Sequence, residues 1–336
     1  MDTGNWQGKA GRIHGPVPIS NFQFPVCEGR RVEILGKTSF DFIGKRYIAY
    51  AVSTVLILLG IVALIQISRG AANMGIDFAG GTSIQVKFAQ PVDLGAVREA
   101  LSKNGIRDSE PQQFADGRSV MVRLKRGTGE VAGTADRVQG ALRKDLATNP
   151  FTLEAATEVG PAIGRELQQK ALLAIAVSLA GIVIYIAWRF EFRFGVAATI
   201  ATFHDVLAVL GILFLLNKEI TLLIVTALLT VAGYSLTDTV VVYDRIRENL
   251  RLRRREPLGD VMNASINQVL SRTFMTSLTT ILASLSLFLL GGEVLHDFAF
   301  SLSIGIIIGT YSSWFVASPI IYEWRTRVEE RRKARR

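Results

Sequence analysis

An aspartate and an arginine lie at two successive apolar stretches of this chain. Asp238 falls within residues 220–243, and Arg272 directly precedes residues 274–290. An ionisable side chain near the bilayer centre costs about 2.5–3.5 kcal/mol on insertion scales, and such residues mark ion or proton pathways. Successive spanning helices run in opposite directions, so we expect the two side chains at similar depths, where they could form an ion pair.

Such a pair can act as a charge switch. A carboxylate beside an arginine stays ionised, whereas the same carboxylate left alone in an apolar site takes up a proton. Asp238 and Arg272 are therefore predicted to belong to a proton relay, and an ion pair that only joins two helices is the alternative. Thr276 extends the relay, because Thr276, Thr279 and Thr280 follow Arg272 at helical spacings and form one polar stripe.

A histidine and an aspartate are adjacent in another apolar stretch. His204 and Asp205 lie within residues 196–216, near the middle of the membrane. A histidine beside a carboxylate can relay protons, because its unperturbed pKa of about 6.5 allows both protonation states. A buried hydrogen-bonded pair that joins helices is an equally direct interpretation, so both remain open for these two residues.

The elements that must position these groups are membrane helices. Hydrophobic residues make up 49% of the 336 residues and charged residues only 20%. A spanning helix needs about 20 mostly apolar residues, and six stretches qualify. They are 47–67, 171–188, 196–216, 220–243, 274–290 and 298–322. We therefore predict a polytopic helical membrane protein with six spans.

The basic residues predict its orientation. Seven Lys and Arg residues lie in residues 1–46, and arginines follow the second and fourth spans, whereas the opposite short loops are nearly bare. Because basic loops stay in the cytoplasm, both termini are predicted to be cytoplasmic in a bacterial inner membrane. Most of the excess positive charge behind the net charge of +9 lies in these loops, where the membrane orientation already explains it. No nucleic-acid partner is therefore expected.

One long polar insertion, residues 68–170, must then be extracytoplasmic. Alternating and helical patterns predict a βαββαβ order, which is that of a ferredoxin-like α+β domain. The strands are predicted at 83–88, 111–115, 119–125 and 152–159, and the helices at 92–104 and 132–146. The predicted domains are a cytoplasmic segment 1–46, the first helix 47–67, the extracytoplasmic domain 68–170, helices two to six within 171–322, and a basic cytoplasmic tail 323–336.

No pattern indicates a soluble enzyme. The lone Cys27 excludes an internal disulfide and a cysteine-based metal site. Gly36, Lys37 and Thr38 mimic the end of a phosphate-binding loop, but Arg31 stands where that loop needs glycine. We expect no enzymatic activity, no metal and no cofactor, and an unstructured or loosely attached segment over residues 1–38.

Small residues recur every four positions in the sixth span. Ser301, Gly305, Gly309 and Ser313 line one face of the predicted helix, which lets another helix approach closely. This face favours a heterodimer. Further along, Ser318 and Pro319 are typical of a helix that bends.

Four motifs of this chain resemble one family. They are residues 75–82 (GIDFAGGT) with Gly80 and Gly81, residues 159–167 with Gly160 and Pro161, residues 233–249 (GYSLTDTVVVYDRIREN) beginning at Gly233, and residues 266–280 (INQVLSRTFMTSLTT). With the number of spans, they resemble the SecF members of the SecD/SecF family, in the resistance-nodulation-division superfamily. The resemblance covers about residues 40–322.

The resemblance implies a function that the residues alone do not. It implies that the chain forms a heterodimer with SecD beside the SecYEG channel, surrounded by membrane lipids. This heterodimer uses the proton-motive force to promote late steps of preprotein export. Asp238 and Arg272 match the family positions for proton conduction, and His204 and Asp205 match a pair in the third span. Sodium remains open as the coupling ion. A small-molecule or lipid exporter and a non-transporting scaffold subunit are the alternatives.

The family glycines have a simpler expected role. Gly80 and Gly81 are predicted to form a tight turn that needs unusual backbone angles. We therefore interpret them as structural residues, together with Gly160, Pro161 and Gly233, and not as ligands of a phosphate.

Overall fold

The structure is a computed structural model that describes residues 38–106, 109–114, 116–125 and 133–335. Its elements in chain order are α1 (Arg46–Ser68), α2 (Ile76–Ala79), β1 (Gly81–Phe88), α3 (Leu94–Lys103), β2 (Ser109–Gln113), β3 (Ser119–Lys125), α4 (Thr134–Asp145), β4 (Phe151–Val159), α5 (Pro161–Arg189), α6 (Phe192–Leu215), α7 (Leu222–Leu252), α8 (Leu258–Leu290), α9 (Gly292–Ser312), a π-helical turn (Ser313–Ala317) and α10 (Ser318–Lys333). Of the segment predicted to be unstructured, residues 1–37 lie outside the described residues.

Six helical segments are long and apolar enough to span a membrane, which confirms the predicted helical membrane fold. They are α1, α5, α6, α7, α8 and the continuous segment from α9 to α10. Several run further than the apolar stretches: α5 begins at Pro161 instead of 171, and α8 begins at Leu258 instead of 274. Hydropathy marks only the part inside lipid, whereas a helix continues into water until a residue such as Pro257 ends it.

The insertion between the first two spans folds as the predicted α+β domain. In its described part, four strands form an antiparallel sheet in the order β2-β3-β1-β4. This order, with α3 following β1 and α4 following β3, is the split βαβ arrangement of a ferredoxin-like domain. Alternate residues of β1, namely Ile84, Val86 and Phe88, pack against Val97 of α3 and Leu142 of α4 in one apolar core.

The centre of the membrane bundle consists of α6, α7 and α9. These helices are the most buried of the spanning helices, whereas α1, α5 and α8 leave many large apolar side chains exposed, as lipid-facing helices do. Glycine allows α1 to cross α6 closely: a Cβ at Gly60 would lie 2.4 Å from the backbone oxygen of Leu207, and one at Gly211 would lie 2.6 Å from the nitrogen of Gly60.

The small residues of the sixth span pack inside the chain. A Cβ added at Gly305 would lie 2.2 Å from Val231, and one at Gly309 would lie 2.9 Å from Ser235. Another helix does approach this face closely, but it is α7 of the same chain. This face is therefore covered within the chain itself, because the sequence shows that a face is small without showing which helix covers it.

A π-helical turn interrupts the sixth span where Ser318 and Pro319 predicted a bend. Proline lacks the N–H group that would bond the preceding turn, so carbonyl groups there need other donors. The Tyr243 hydroxyl donates to the Ala317 oxygen at 3.2 Å, and the Ser318 hydroxyl donates to the Ser313 oxygen at 2.9 Å. Side chains thus complete the backbone hydrogen bonding at this turn.

Candidate functional site

A fully buried carboxylate lies where α6, α7 and α9 meet. Asp205 of α6 is 0% exposed, and its Oδ2 accepts hydrogen bonds from the hydroxyl groups of Ser235 on α7 and Ser312 on α9, the latter at 2.7 Å. Hydrogen bonds to a charged group are stronger than those between neutral groups. Asp205 therefore joins three spanning helices through one oxygen atom.

The neighbouring His204 engages the other carboxylate oxygen. Its Nδ1 lies 2.8 Å from Oδ1 of Asp205. Beside an ionised Asp205, the neutral ring would carry its proton on Nδ1 and a lone pair on Nε2. The ring is 1% exposed, and within the described residues Nε2 has no hydrogen-bond partner. His204 therefore supports Asp205, and its Nε2 is a candidate proton acceptor.

A second buried carboxylate, that of Asp238, lies on α7 about one helical turn after Ser235. Asp238 is 6% exposed, and its Oδ2 accepts a 3.4 Å hydrogen bond from the Ser277 hydroxyl of α8. The Ser277 hydroxyl is also 2.6 Å from Thr310 of α9 and accepts a 3.4 Å bond from the Tyr234 hydroxyl. Asp238 therefore reaches α8 and α9 through hydroxyl groups and not through a cation.

The two carboxylates are linked through α7 and α9. Ser235 and Asp238 lie within one turn of α7, and Thr310 and Ser312 lie within one turn of α9. Ser312 bonds to Asp205 directly, whereas Thr310 reaches Asp238 through Ser277 of α8. This arrangement can exchange a proton or a small cation for a helix movement, because the hydroxyl groups bonded to each carboxylate lie on other helices than the carboxylate itself.

Arg272 does not pair with Asp238 in this structure. Its side chain is exposed on α8, and neither residue enters an ion pair within the part of the chain that the structure describes. Arg272 is still close enough to act electrostatically on Asp238. The predicted direct contact is therefore missing, because the rotation of α8 about its own axis turns Arg272 outward while Ser277 points inward.

The threonines after Arg272 bond to their own helix. The Thr276 hydroxyl donates to the backbone oxygens of Thr273 at 2.9 Å and Arg272 at 3.2 Å. Thr279 and Thr280 make equivalent bonds to the preceding turn. Bonds of this kind satisfy a hydroxyl inside a membrane. Thr276 also lies close to Asp238.

The family glycines fall into two groups. Gly80 and Gly81 have φ values of +77° and +149°, and a Cβ at Gly81 would lie 2.3 Å from the backbone oxygen of Leu124, so both need glycine for their backbone. Gly160 precedes Pro161, the first residue of α5, and has ordinary angles with open space around it. Gly233 faces open space on α7. Nothing in the structure explains glycine at 160.

The start of α7 is bonded to the α+β domain. The backbone N–H of Leu222 donates to Oδ2 of Asp77 at 2.9 Å, and Gly75 donates to the oxygen of Ile220 at 2.9 Å. From the sheet, Arg123 of β3 forms a 2.9 Å ion pair with Glu219. The helix that carries Ser235 and Asp238 is therefore attached directly to this domain.

Sequence reasoning missed these partners. In the sequence, four of the partners are recognisable only as hydroxyl residues within apolar stretches: Ser235, Ser277, Thr310 and Ser312. Asp77 is recognisable only as part of a glycine-rich motif. The one available signal was the placement of Ser235 three residues before Asp238, on the same helical face. The described residues contain no cluster of three or more His, Cys, Asp or Glu side chains that could hold a metal ion.

Comparison with known protein families adds an independent observation. Residues 139–327 match the family model described as "Protein export membrane protein SecD/SecF, C-terminal", and residues 72–92 match the "SecD/SecF GG Motif". Both buried carboxylates, their hydroxyl partners and Arg272 lie within the first match. Asp77, Gly80 and Gly81 lie within the second.

Individual relatives are similar over most of the chain. A protein translocase subunit SecF of Thermodesulfovibrio yellowstonii is 53% identical over 292 residues, which cover 86% of this chain and 96% of that protein. A SecF of Magnetococcus marinus is 46% identical over 85% of this chain and 92% of that protein.

A solved structure is similar as well. It is SecDF, a translocon-associated membrane protein of Thermus thermophilus, with a TM-score of 0.72 and 38% sequence identity. The similarity covers 86% of this chain but only 39% of the SecDF chain.

Proposed function

Because the chain belongs to the SecD/SecF family of protein-export membrane proteins, we propose that it is a SecF-type subunit that couples an ion gradient to preprotein export. The subunit acts with SecD next to the SecYEG channel and promotes late steps of export. It resides in a bacterial inner membrane with both termini in the cytoplasm, as its basic loops indicate. The proton-motive force is its energy source.

One observation carries the coupling proposal. Asp205 and Asp238 are both buried on the central helices, and both are held by hydroxyl groups of α9 or of its neighbours. A lone carboxylate in a membrane is costly when ionised and much less so when protonated. Proton uptake and release therefore change how strongly these helices hold each other. His204 and Arg272 assist, His204 as a proton acceptor beside Asp205 and Arg272 as a nearby positive charge.

The attachment of α7 to the α+β domain supports transmission of helix movement to the outside of the membrane. Leu222 and Ile220 at the start of α7 are bonded to Asp77 and Gly75, which directly precede the sheet. An axial shift or tilt of α7 would be passed to the domain without an intervening flexible linker. In the proposed mechanism, the resulting movement of that domain acts on an emerging polypeptide.

Two adjacent helices present a surface for the SecD partner. On α7 the exposed residues Thr226, Thr230, Gly233 and Thr237 recur on one face, and α8 exposes Arg272, Thr276 and Thr279. A groove of about 230 Å³ lies between them, lined by Thr230, Tyr234, Thr280 and Ala283 among others. Small and hydroxyl residues favour close packing of membrane helices. SecD on this surface would bring its own groups next to Arg272 and Asp238.

The energy available is sufficient for such a step. One charge that crosses a membrane potential of 100 mV releases about 2.3 kcal/mol. That free energy is comparable to one hydrogen bond to a charged group, which contributes about 1.5–3 kcal/mol. Breaking one such bond per proton, as at Asp238, is therefore within reach. A carboxylate with hydroxyl ligands also suits sodium, so the experiment compares both ions.

The test measures ion conduction and preprotein export in vesicles that contain the SecD partner. Asp238→Asn should abolish both while assembly stays intact, because asparagine cannot exchange a proton. Arg272→Met should lower both. The control is Asp244→Asn on the same helix, where the carboxylate is exposed and pairs with Arg189. This variant should export normally.

Each result separates the alternatives. Normal export with Asp238→Asn would contradict the relay and favour a scaffold subunit, for which the buried carboxylates only hold helices together. Conduction of sodium without conduction of protons would retain the motor with a different coupling ion. Conduction of protons that is stimulated by a small amphiphile and not by a preprotein would favour the exporter alternative.

A further inference from the structure

A groove of about 640 Å³ lies where the start of α1 meets α10. Its lining includes Tyr47, Tyr50, Glu323, Trp324, Arg327 and Arg331. We propose that this groove is a binding site for the phosphate headgroup of an anionic phospholipid. The site is separate from the carboxylates of the bundle, and neither the coupling proposal nor the SecD surface depends on it.

The position of the groove fits the depth of lipid headgroups. Tyr47 and Tyr50 lie in the first turns of the first spanning helix, and Trp324 lies beyond the π-helical turn of the last one. Tyrosine and tryptophan favour the boundary between hydrocarbon and water. The Trp324 ring is fixed by a perpendicular contact with Phe192 at 6.4 Å, at the start of α6. Residues of three helices, α1, α6 and α10, therefore hold the groove at the expected depth of the membrane surface.

The charge of the groove is positive. Its carboxylate, Glu323, is already paired with Arg46, with Nε and Oε1 2.8 Å apart. The Arg46 guanidinium in turn lies over the Tyr47 ring at 4.5 Å, which keeps it in that position. Arg327 and Arg331 are exposed and enter no ion pair within the described residues. Two guanidinium groups therefore remain available to an anion.

These two arginines are spaced to hold one phosphate. Positions i and i+4 lie side by side on a helix, and the planar guanidinium group donates two parallel hydrogen bonds to phosphate oxygens. The nearby carboxylates Glu329 and Glu330 do not line the groove. Residues after the groove, Arg332, Lys333 and Arg335, add a general attraction to an anionic surface.

The apolar surroundings favour a lipid over a soluble anion. On the face of α1 that carries Tyr47 and Tyr50, Leu58 and Ile61 are 55% and 40% exposed. These side chains provide a surface for acyl chains directly below the headgroup. A lipid combines both contacts, whereas free phosphate gains only the ionic one.

The experiment compares lipid retention by the purified full-length protein. Native mass spectrometry after exchange into mixed micelles measures how much phosphatidylglycerol and phosphatidylcholine remain bound. The wild type should retain phosphatidylglycerol preferentially. The double variant Arg327→Gln/Arg331→Gln should lose about tenfold in apparent affinity for it, because both phosphate contacts are removed.

A matched control removes the same charge from the same tail. Arg332→Gln/Lys333→Gln also lowers the net charge by two, but neither residue lines the groove. This variant should stay within about twofold of the wild type. Equal losses in both double variants would overturn the site and leave only a general electrostatic attraction. Equal retention of both lipids by the wild type would also overturn it.

A second variant guards against a folding artefact. Trp324→Phe keeps an aromatic ring against Phe192 but removes the indole N–H, and we expect the protein to elute as a single species. Phosphatidylglycerol retention should fall less than in the arginine variant. If retention stays at the wild-type level in Arg327→Gln/Arg331→Gln, the proposal fails whatever Trp324→Phe does.

Discussion

The Ser312 hydroxyl of α9 donates a 2.7 Å hydrogen bond to the Asp205 carboxylate of α6. A π-helical turn begins at the next residue, Ser313. The buried carboxylate is therefore bonded at the point where the last spanning helix changes its geometry. This hydrogen bond links the Asp205 carboxylate at the centre of the bundle to the helix that continues into the basic tail.

Removal of that hydroxyl should impair the proposed coupling. Ser312→Ala leaves Oδ2 of Asp205 with the Ser235 hydroxyl alone, and the lost bond to a charged group is worth about 1.5–3 kcal/mol. We expect reduced export stimulation in vesicles. The control is Ser301→Ala, also buried on α9, because that hydroxyl bonds only to the backbone of Asp297. Equal activity of the two variants would contradict a special role for Ser312.

The crossing of α1 and α6 should not tolerate a methyl group. Gly60→Ala places a Cβ 2.4 Å from the backbone oxygen of Leu207, so the helices must move apart. Overpacking of this kind costs about 1–3 kcal/mol. Thermal unfolding in detergent should show a lower midpoint for Gly60→Ala. Gly181→Ala on α5 has open space and should unfold like the wild type or later. A normal midpoint for Gly60→Ala would mean that α1 is not held at this crossing.

The glycines of the domain motif should differ from those before α5. Gly81→Ala combines a φ of +149° with a Cβ 2.3 Å from the Leu124 oxygen, so we expect poor folding and low abundance in the membrane. Gly160→Ala has ordinary angles and no close neighbour, so we expect near-normal abundance. Quantitative immunoblots of membrane fractions measure both. Similar abundance of the two variants would refute the backbone role of Gly81.

Loss of the Asp77 contact should uncouple ion conduction from preprotein export. Asp77→Ala removes the acceptor for the Leu222 N–H, which joins the domain to α7. We expect ion conduction to persist while export stimulation falls. Asp93→Ala is the matched control, since Asp93 also accepts a backbone N–H, from Ala96, but within the domain. Loss of both activities in Asp77→Ala would indicate damage to the bundle instead of uncoupling.

The Asp116 carboxyl of the domain should titrate at an unusually low pH. Backbone N–H donation from Ser119, together with the Ser119 hydroxyl and the Arg118 N–H, lowers the pKa of Asp116 because these donors favour the ionised form. Its stabilising effect is therefore complete above the unfolded pKa of about 3.9 and is lost as the pH falls through the lowered folded pKa.

Carboxyl-carbon NMR on labelled protein measures this directly. The midpoint of Asp116 should lie below 3.9, and Ser119→Ala should move it upward because one donor is removed while the backbone donors stay. Titration of Asp116 at or above 3.9 in the wild type would contradict the hydrogen bonding described for this turn.

Sequence and structure agree best where a single helix or strand determines the pattern. The strand Ser119–Lys125 was predicted with its observed bounds, and α1 differs from the predicted 47–67 by one residue at each end. The least accurate bounds are those of α8 and of the last spanning segment, Val294–Lys333, whose polar ends extend the helices beyond the predicted 274–290 and 298–322. Hydropathy reports the thickness of the membrane and not the length of a helix.

The sequence by itself determined that this chain spans a membrane six times, because about 20 apolar residues are needed for each crossing and six such stretches are present. It also determined the type of domain between the first two spans, because strands and helices have different periods. Tertiary structure alone decided that Arg272 faces outward, that Ser312 meets Asp205 and that α7 covers Gly305. A membrane helix is apolar on nearly every side, so its rotation about its own axis is fixed by packing against its neighbours and leaves little trace in the sequence.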